Sequence, residues 1–299
     1  MAATPPRTLT IAGSDSGGAA GLEADVRAMT ACGVHACVAV TAVTVQNSLG
    51  VSDVHLVPPA TVAAQVRAVV GDIGVGAAKT GMLATAPIIE AVADVVDEVG
   101  IGRDAPRSGA GPSAPRTVPF VVDPVSASMY GDPLLSPEAL DAMRERLFPR
   151  ATLITPNLDE VRLLCGITVT DAASAREAAA ALHAMGPQWV LVKGGHLRES
   201  AECTDLLSDG ERHEEFVGPR QSTTHVHGAG DALASAVCAA LARGATMPDA
   251  VGYAKRYITR AVEAAYPLGA GTGPVSPLWA VRDWDDGPAA QFPEPSSTP

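Results

Sequence analysis

Two kinds of segment alternate along the chain. Short runs, apolar at nearly every position and rich in β-branched residues, fall at 8–12, 38–45, 118–122, 151–155 and 189–192. Longer Ala-rich stretches with helical spacing fall at 23–31, 59–70, 84–99, 137–147, 159–165 and 172–185. A run with no polar face has none to offer water, so these runs predict strands covered on both sides. Alternation with helices predicts an α/β layered fold around a mostly parallel sheet.

Each predicted strand gives way to glycine, proline or a polar group. These ends are Gly13-Ser14-Asp15, Gln46-Asn47, Asp123-Pro124, Pro156-Asn157 and Lys193-Gly194-Gly195-His196. Open α/β sheets bind ligands beyond the carboxyl ends of their strands, so the five clusters are expected to line one crevice. Residues 102–119, rich in Gly, Pro and Ser, read as a flexible loop insertion, and residues 281–299 as a disordered tail. No repeat or linker divides the remainder, and residues 1–280 are expected to form one domain.

Composition narrows the function. Lys plus Arg number 21 against 33 Asp plus Glu, a net charge of -12 that disfavours phosphate backbones and anionic lipid. Neither nucleic acid nor a membrane is therefore an expected partner. No apolar run reaches the roughly 18 residues of a spanning helix, and residues 1–7 lack an export pattern. A cytoplasmic location is expected. Cys32, Cys37, Cys165, Cys203 and Cys238 are odd in number and form no C-x-x-C, so buried thiols are expected over disulfides or a zinc site.

The strongest chemical signal is His227-Gly228-Ala229-Gly230-Asp231 ahead of a helical pattern that ends at Gly244. Glycines before a helix let the backbone approach a ligand, and the helix N-terminus favours an anion there. Gly228, Ala229 and Gly230 are candidates for an anion hole, and Asp231 for the acceptor of a proton from an attacking hydroxyl. A plain glycine turn with a capping acid is the structural alternative. Asn157 and Glu160, three apart, could hold hydrated magnesium between ATP phosphates, or could simply form a capping box. Asp123 could support the same metal through water, and Lys193 could neutralise phosphate charge. Either could equally belong to an ordinary turn. The loop 13–25 is not a dinucleotide fingerprint, since Asp15 stands where its second glycine would be, and the chain has no G-x-x-x-x-G-K-[ST] P-loop. Asp25 and Gln46 could hydrogen-bond a small polar heterocycle.

Taken in order, these clusters resemble the ribokinase-like superfamily. Within it they resemble the hydroxymethylpyrimidine/phosphomethylpyrimidine kinases of thiamin synthesis. The resemblance runs from Thr8 to about Pro277. It rests on residues 12–18 with Ala24-Asp25, Val45-Gln46-Asn47, Lys79-Thr80-Gly81-Met82-Leu83, Val122-Asp123-Pro124-Val125, residues 154–157 with Glu160, residues 193–196 and Gly228-Ala229-Gly230-Asp231.

The resemblance implies a three-layer sandwich and transfer of the γ-phosphoryl of ATP, first to the pyrimidine alcohol and then to its monophosphate. It implies that Gly13, Asp25, Gln46 and Met82 line the pyrimidine pocket. Asn157, Lys193 and Gly230 would meet ATP, and Asp123, Asn157 and Glu160 would lie near Mg2+. A homodimer is left open. This chain departs from the thiamin-pathway pattern at Asp231, usually cysteine there but aspartate in sugar and pyridoxal kinases. It also departs at Ala19, usually glycine, and Glu23, usually glutamine. Pyridoxal kinase is therefore the alternative enzyme, and a non-catalytic pyrimidine-sensing module the alternative from another class.

Overall fold

The computed structural model of the protein describes residues 3–102, 118–126, 135–196 and 201–284. Its first half comprises β1 (Arg7–Ser14), α1 (Gly21–Ala31), β2 (His35–Asn47), β3 (Gly50–Leu56), α2 (Pro59–Ala68), β4 (Ala77–Thr80), α3 (Ala86–Val99) and β5 (Phe120–Val122). There follow α4 (Pro137–Ala142), β6 (Leu153–Ile154), α5 (Leu158–Cys165), α6 (Ala172–His183) and β7 (Trp189–Val192). The last elements are β8 (Glu202–Ser208), β9 (His213–Pro219), α7 (Ala229–Ala242) and α8 (Met247–Glu263).

The described strands make one sheet in the order β3-β2-β1-β4-β5-β6-β7-β8-β9. Neighbours from β2 to β7 are parallel, while β3, β8 and β9 add on antiparallel. The chain leaves β1 for β2 on one side and later enters β4 on the other. Such a reversal is the point at which open α/β sheets place a ligand, at the carboxyl ends of the parallel strands.

The two-residue period of each strand sorts its side chains between two helical layers. Leu9, Ile11, Ala78, Phe120, Val122, Ile154, Val190 and Val192 pack with α2 to α6. Ala77, Val121, Leu153 and Leu191 pack on the opposite side with α1, α7 and α8. By the same alternation Lys79 faces α1 and α7. Residues Ala232 to Leu241 of α7 are all buried, so this helix is core on every side and its N-terminus is rigidly placed.

Some boundaries differ from expectation. The stretches 59–70 and 137–147 are α-helical only to Ala68 and Ala142, each continuing as a π turn, Val69–Ile73 and Met143–Leu147. Strands β3, β4, β8 and β9 and helix α8 were not anticipated. Of the expected loop at 102–119, residues 103–117 lie outside the described residues, as does 285–299 of the expected tail. Pro277–Trp284 forms a 3-10 segment that runs into the first residues of the expected tail. Trp279 anchors it, 5.5 Å from the Tyr257 ring and 5.4 Å from the Arg260 guanidinium. All five cysteines are free thiols. Among the described residues no helix is long and apolar enough to cross a membrane.

Candidate active site

The glycine-rich loop after β1 is folded around Asp15. One carboxylate oxygen accepts the N–H of Gly17 at 2.8 Å, and the other accepts those of Ala19 and Ala20, both at 2.8 Å. Burial opposes the charge, but His227 and these three amides outweigh it and hold the carboxyl well below the usual range. Glu23 accepts the Asp15 N–H at 2.7 Å, which stitches the loop to α1. So folded, the loop lies against the start of α7. Gly228 has φ +75°, and a Cβ there would run into the Ala19 carbonyl. Only glycine suits both the conformation and the close approach.

Helix α7 opens directly beyond Gly228. The Ala229 N–H is taken by the Val226 carbonyl at 3.1 Å. The next amides, of Gly230 and Asp231, lie in a first turn where no helical carbonyl precedes them, so they are the ones offered to an anion. The Asp231 carboxylate accepts the Gly21 N–H at 3.2 Å and the Lys79 ammonium at 3.2 Å. Its side chain is 14% exposed, against 0% for Lys79. A group that is braced yet still open to the crevice can take a proton from a bound hydroxyl.

Asp25 lies deeper. Its side chain is fully buried and accepts hydrogen bonds from Lys79 Nζ at 2.5 Å, Thr10 Oγ1 at 2.6 Å and Ser235 Oγ at 2.7 Å. Asp25 was expected to face a heterocycle; in this structure its side chain meets Lys79, Thr10 and Ser235. Both carboxylate oxygens are engaged within the protein, and Asp25 backs Lys79 instead of lining the crevice. Burial works against the Lys79 charge, but Asp25, Asp231 and Asp123 outweigh it and keep the ammonium protonated well above the ordinary lysine range.

A second charged cluster stands beside Gly230. The Lys193 ammonium donates to Asp123 at 3.1 Å, and a Cβ on Gly230 would lie 3.3 Å from that ammonium and 3.5 Å from the Asp123 carboxylate. Glu160 and Asn157 form the capping box of α5. The Glu160 N–H donates to the Asn157 side chain at 2.9 Å, and the Asn157 N–H to Glu160 at 2.8 Å. The Ser126 N–H also donates to Glu160, at 3.3 Å. The capping role of Asn157 is thus present, with its amide oxygen engaged. Among the described residues no three His, Cys, Asp or Glu side chains are grouped to hold a metal ion.

Burial pushes the Glu160 carboxyl up to about 7; Lys193 opposes this, Asp123 reinforces it, and the Asn157 and Ser126 amides oppose it. A carboxyl whose folded pKa is raised binds its proton more tightly folded than unfolded. The stability it contributes is complete at acid pH and lost as pH rises through about 7. Thermal melts of Glu160→Gln, which can still serve a capping box, should show a flatter decline between about pH 5 and 8 than the parent protein. An unchanged slope would assign the decline to other groups.

Gly13 joins the pocket residues to Asp231. Its N–H donates to the Met82 carbonyl at 3.1 Å, and a Cβ on it would lie 2.5 Å from the Met82 methyl. Its own carbonyl would lie 2.5 Å from a Cβ on Gly21, whose N–H reaches Asp231. Gln46, next to last in β2, lies beside the same loop, its backbone N–H and C=O both bonded to the Ser16 hydroxyl at 2.8 and 2.7 Å. Gly13, Met82 and Gln46 are thus linked through the loop after β1 and Gly21 to Asp231, whereas Asp123 and Lys193 stand beside Gly230.

Sequence reasoning assigned no role to Lys79, Thr10 or Ser235. A signal was present for the first of them: a lysine in the run Ala77-Ala78-Lys79-Thr80 is a charge where a buried strand should have none.

The sequence matches the phosphomethylpyrimidine kinase family over residues 15–103 and 112–276. A hydroxymethylpyrimidine/phosphomethylpyrimidine kinase of Mycobacterium tuberculosis is 59% identical over 278 residues, 93% of this chain and 96% of that one. A thiamine biosynthesis bifunctional protein of Geobacter sulfurreducens is 43% identical over 278 residues, 93% of this chain and 53% of that one. Among solved structures, an ADP complex of Bacillus subtilis pyridoxal kinase superposes with a TM-score of 0.79 at 35% identity, covering 93% of this chain and 98% of that one. Sequence, sheet topology and the convergence of the strand-end clusters agree: the chain belongs to the phosphomethylpyrimidine kinase family.

Proposed function

We propose that the protein is an ATP-dependent kinase of thiamin diphosphate synthesis. It phosphorylates the hydroxymethyl group of an aminopyrimidine and then the resulting monophosphate. The observation that carries this reading is the position of Asp231, braced by Lys79 and the Gly21 amide, partly open, and next to the α7 amide of Gly230. The names of the Mycobacterium and Geobacter relatives support the pathway and both acceptors, and the ADP complex of the Bacillus enzyme supports the nucleotide.

In the first transfer the acceptor oxygen attacks the γ-phosphorus, its proton passes to Asp231, and the bond to the ADP oxygen breaks. Charge on the moving phosphoryl is met by the amides of Gly230 and Asp231 and by the N-terminal dipole of α7. Lys193 faces the same place and neutralises phosphate oxygens. Gly13, Met82 and Gln46 border the acceptor and fix its approach. Alignment and preset charge do most of what such a transfer requires.

The residues present fit magnesium. Asp123 and Glu160 supply two carboxylates near Gly230, and the hydroxyl of Ser126, whose amide binds Glu160, is buried without a hydrogen-bond partner. Mg2+ usually takes one or two carboxylates and completes its shell with water and phosphate. Asp123 and Glu160 would hold it, and when bound it supplies neutralisation of the phosphate charge.

A second reading, pyridoxal kinase, is favoured by Asp231 itself and by the Bacillus neighbour. Mass analysis of products from the pyrimidine alcohol and from pyridoxal, each with ATP, separates the two. Two phosphates added to the pyrimidine are expected. Rapid phosphorylation of pyridoxal with none of the pyrimidine would reverse the assignment, and ATP turnover with neither would leave no kinase of either kind.

A further inference from the structure

Lys79 is a lysine with no exposed surface, set in a four-residue strand whose other members are Ala77, Ala78 and Thr80. An ammonium taken out of water is tolerated only where partners repay the desolvation. Its partners form a ladder between two helices. Gly21 and Asp25 stand one turn apart on α1, and Asp231 and Ser235 one turn apart on α7. Gly21 donates to Asp231 at 3.2 Å in one rung, and Ser235 donates to Asp25 at 2.7 Å in the other. Lys79 reaches from β4 to both carboxylates, and Thr10 on β1 completes Asp25. Gly81 keeps the space beside them narrow: a Cβ there would lie 3.3 Å from the ammonium and 3.6 Å from the Asp231 carboxylate.

On the reading that Asp231 accepts the substrate proton, we propose that Lys79 is a positioning residue that fixes the Asp231 carboxylate for proton transfer, with Asp25, Thr10 and Ser235 as its buried support. Four elements, β1, β4, α1 and α7, are thereby tied to one reacting group. Lys79 itself has no exposed surface through which to meet substrate, so its whole effect passes through Asp231.

That restriction makes the idea testable by a double-mutant cycle. Lys79→Met alone leaves Asp25 as an unpaired buried charge and risks misfolding, so the cycle uses Lys79→Met paired with Asp25→Asn, which removes both charges. Ser235→Ala serves as a milder companion. Single-turnover transfer from γ-labelled ATP is followed on whichever acceptor the parent enzyme phosphorylates. In the parent background the charge-pair variant should lower the rate about 10- to 100-fold, the scale of a misplaced reacting group, with KM for ATP and acceptor within about twofold. In an Asp231→Asn background the same pair should cost less than about twofold more. Ser235→Ala should show a smaller loss of the same non-additive kind. The full factor reappearing without Asp231, or parent-like rates in the charge-pair variant, would overturn the proposal. Near-normal turnover by Asp231→Asn alone would instead overturn the base assignment, so the two failures read differently.

Discussion

Asp231→Asn is expected to slow the first phosphoryl transfer by about 10²–10⁴-fold, the range for loss of a general base. Asparagine keeps the shape of the side chain but only one acceptor oxygen, so either the Gly21 amide or the Lys79 ammonium loses its partner. Asp25 still pairs Lys79, so the variant should fold, with a loss of about 1–3 kcal/mol. The two transfers should also part company. In the first, the nucleophile is an alcohol and must shed a proton as it attacks. In the second it is a phosphate oxygen, already largely ionised at neutral pH because its second pKa is about 6. The substitution should therefore fall much harder on formation of the monophosphate than on its conversion to the diphosphate. Quenched-flow assays started from each acceptor measure this directly. Equal losses in both steps would mean that Asp231 acts on the phosphoryl group, and no loss in either would remove it from the reaction.

Lys79→Met is expected to cost about 3–5 kcal/mol of folding stability, since it strands Asp25 as a buried, uncompensated charge. An exposed pair gives the scale by contrast. Arg67 and Glu98 meet at 2.7 Å but with about half of each side chain in water, and breaking that pair should change stability far less. Adding Asp25→Asn to Lys79→Met should recover most of the loss, because the fully buried charge is then gone and Asp231, the other partner of Lys79, is partly open to water. Urea unfolding of the two single variants and the combination reads all three values. A single variant as stable as the parent, or a combination no better than Lys79→Met, would contradict the buried-charge account.

The parts of the fold that were legible were those whose signal is local. Strands β5, β6 and β7 are apolar at nearly every position because both faces are covered. Strand β1 is buried along its middle and carries only small threonines among its apolar residues there, and α7 announces itself by glycines ahead of an unbroken small-residue helix. Edge strands carry no such mark. In β9 the run His213-Glu214-Glu215 is polar because one side of the strand has no neighbour, and β3 is exposed along most of its length. Helix α8 hides its buried positions, Met247, Ala250, Val251, Ala254, Tyr257 and Ala261, among charged residues, although their spacing is helical. The site divides in the same way. Gly228 to Asp231 and the Asn157–Glu160 box are contiguous and could be read from the sequence, whereas Lys79 meets Asp231 across 152 residues. That contact depends on β4 lying beside β1, which strand patterns alone do not dictate. The contact between Asp25 and Lys79 is hidden from the sequence for the same reason.

The account stands on an alcohol oxygen, a carboxylate and a terminal phosphoryl group meeting at the start of α7. The most direct measurement is a crystal structure with the pyrimidine alcohol and a non-hydrolysable ATP analogue bound together. The acceptor oxygen is predicted about 2.6–3.2 Å from the Asp231 carboxylate, with the γ-phosphate on the Gly230 side of it. A hydroxymethyl group turned away from Asp231, with another base within reach of it, would contradict the account.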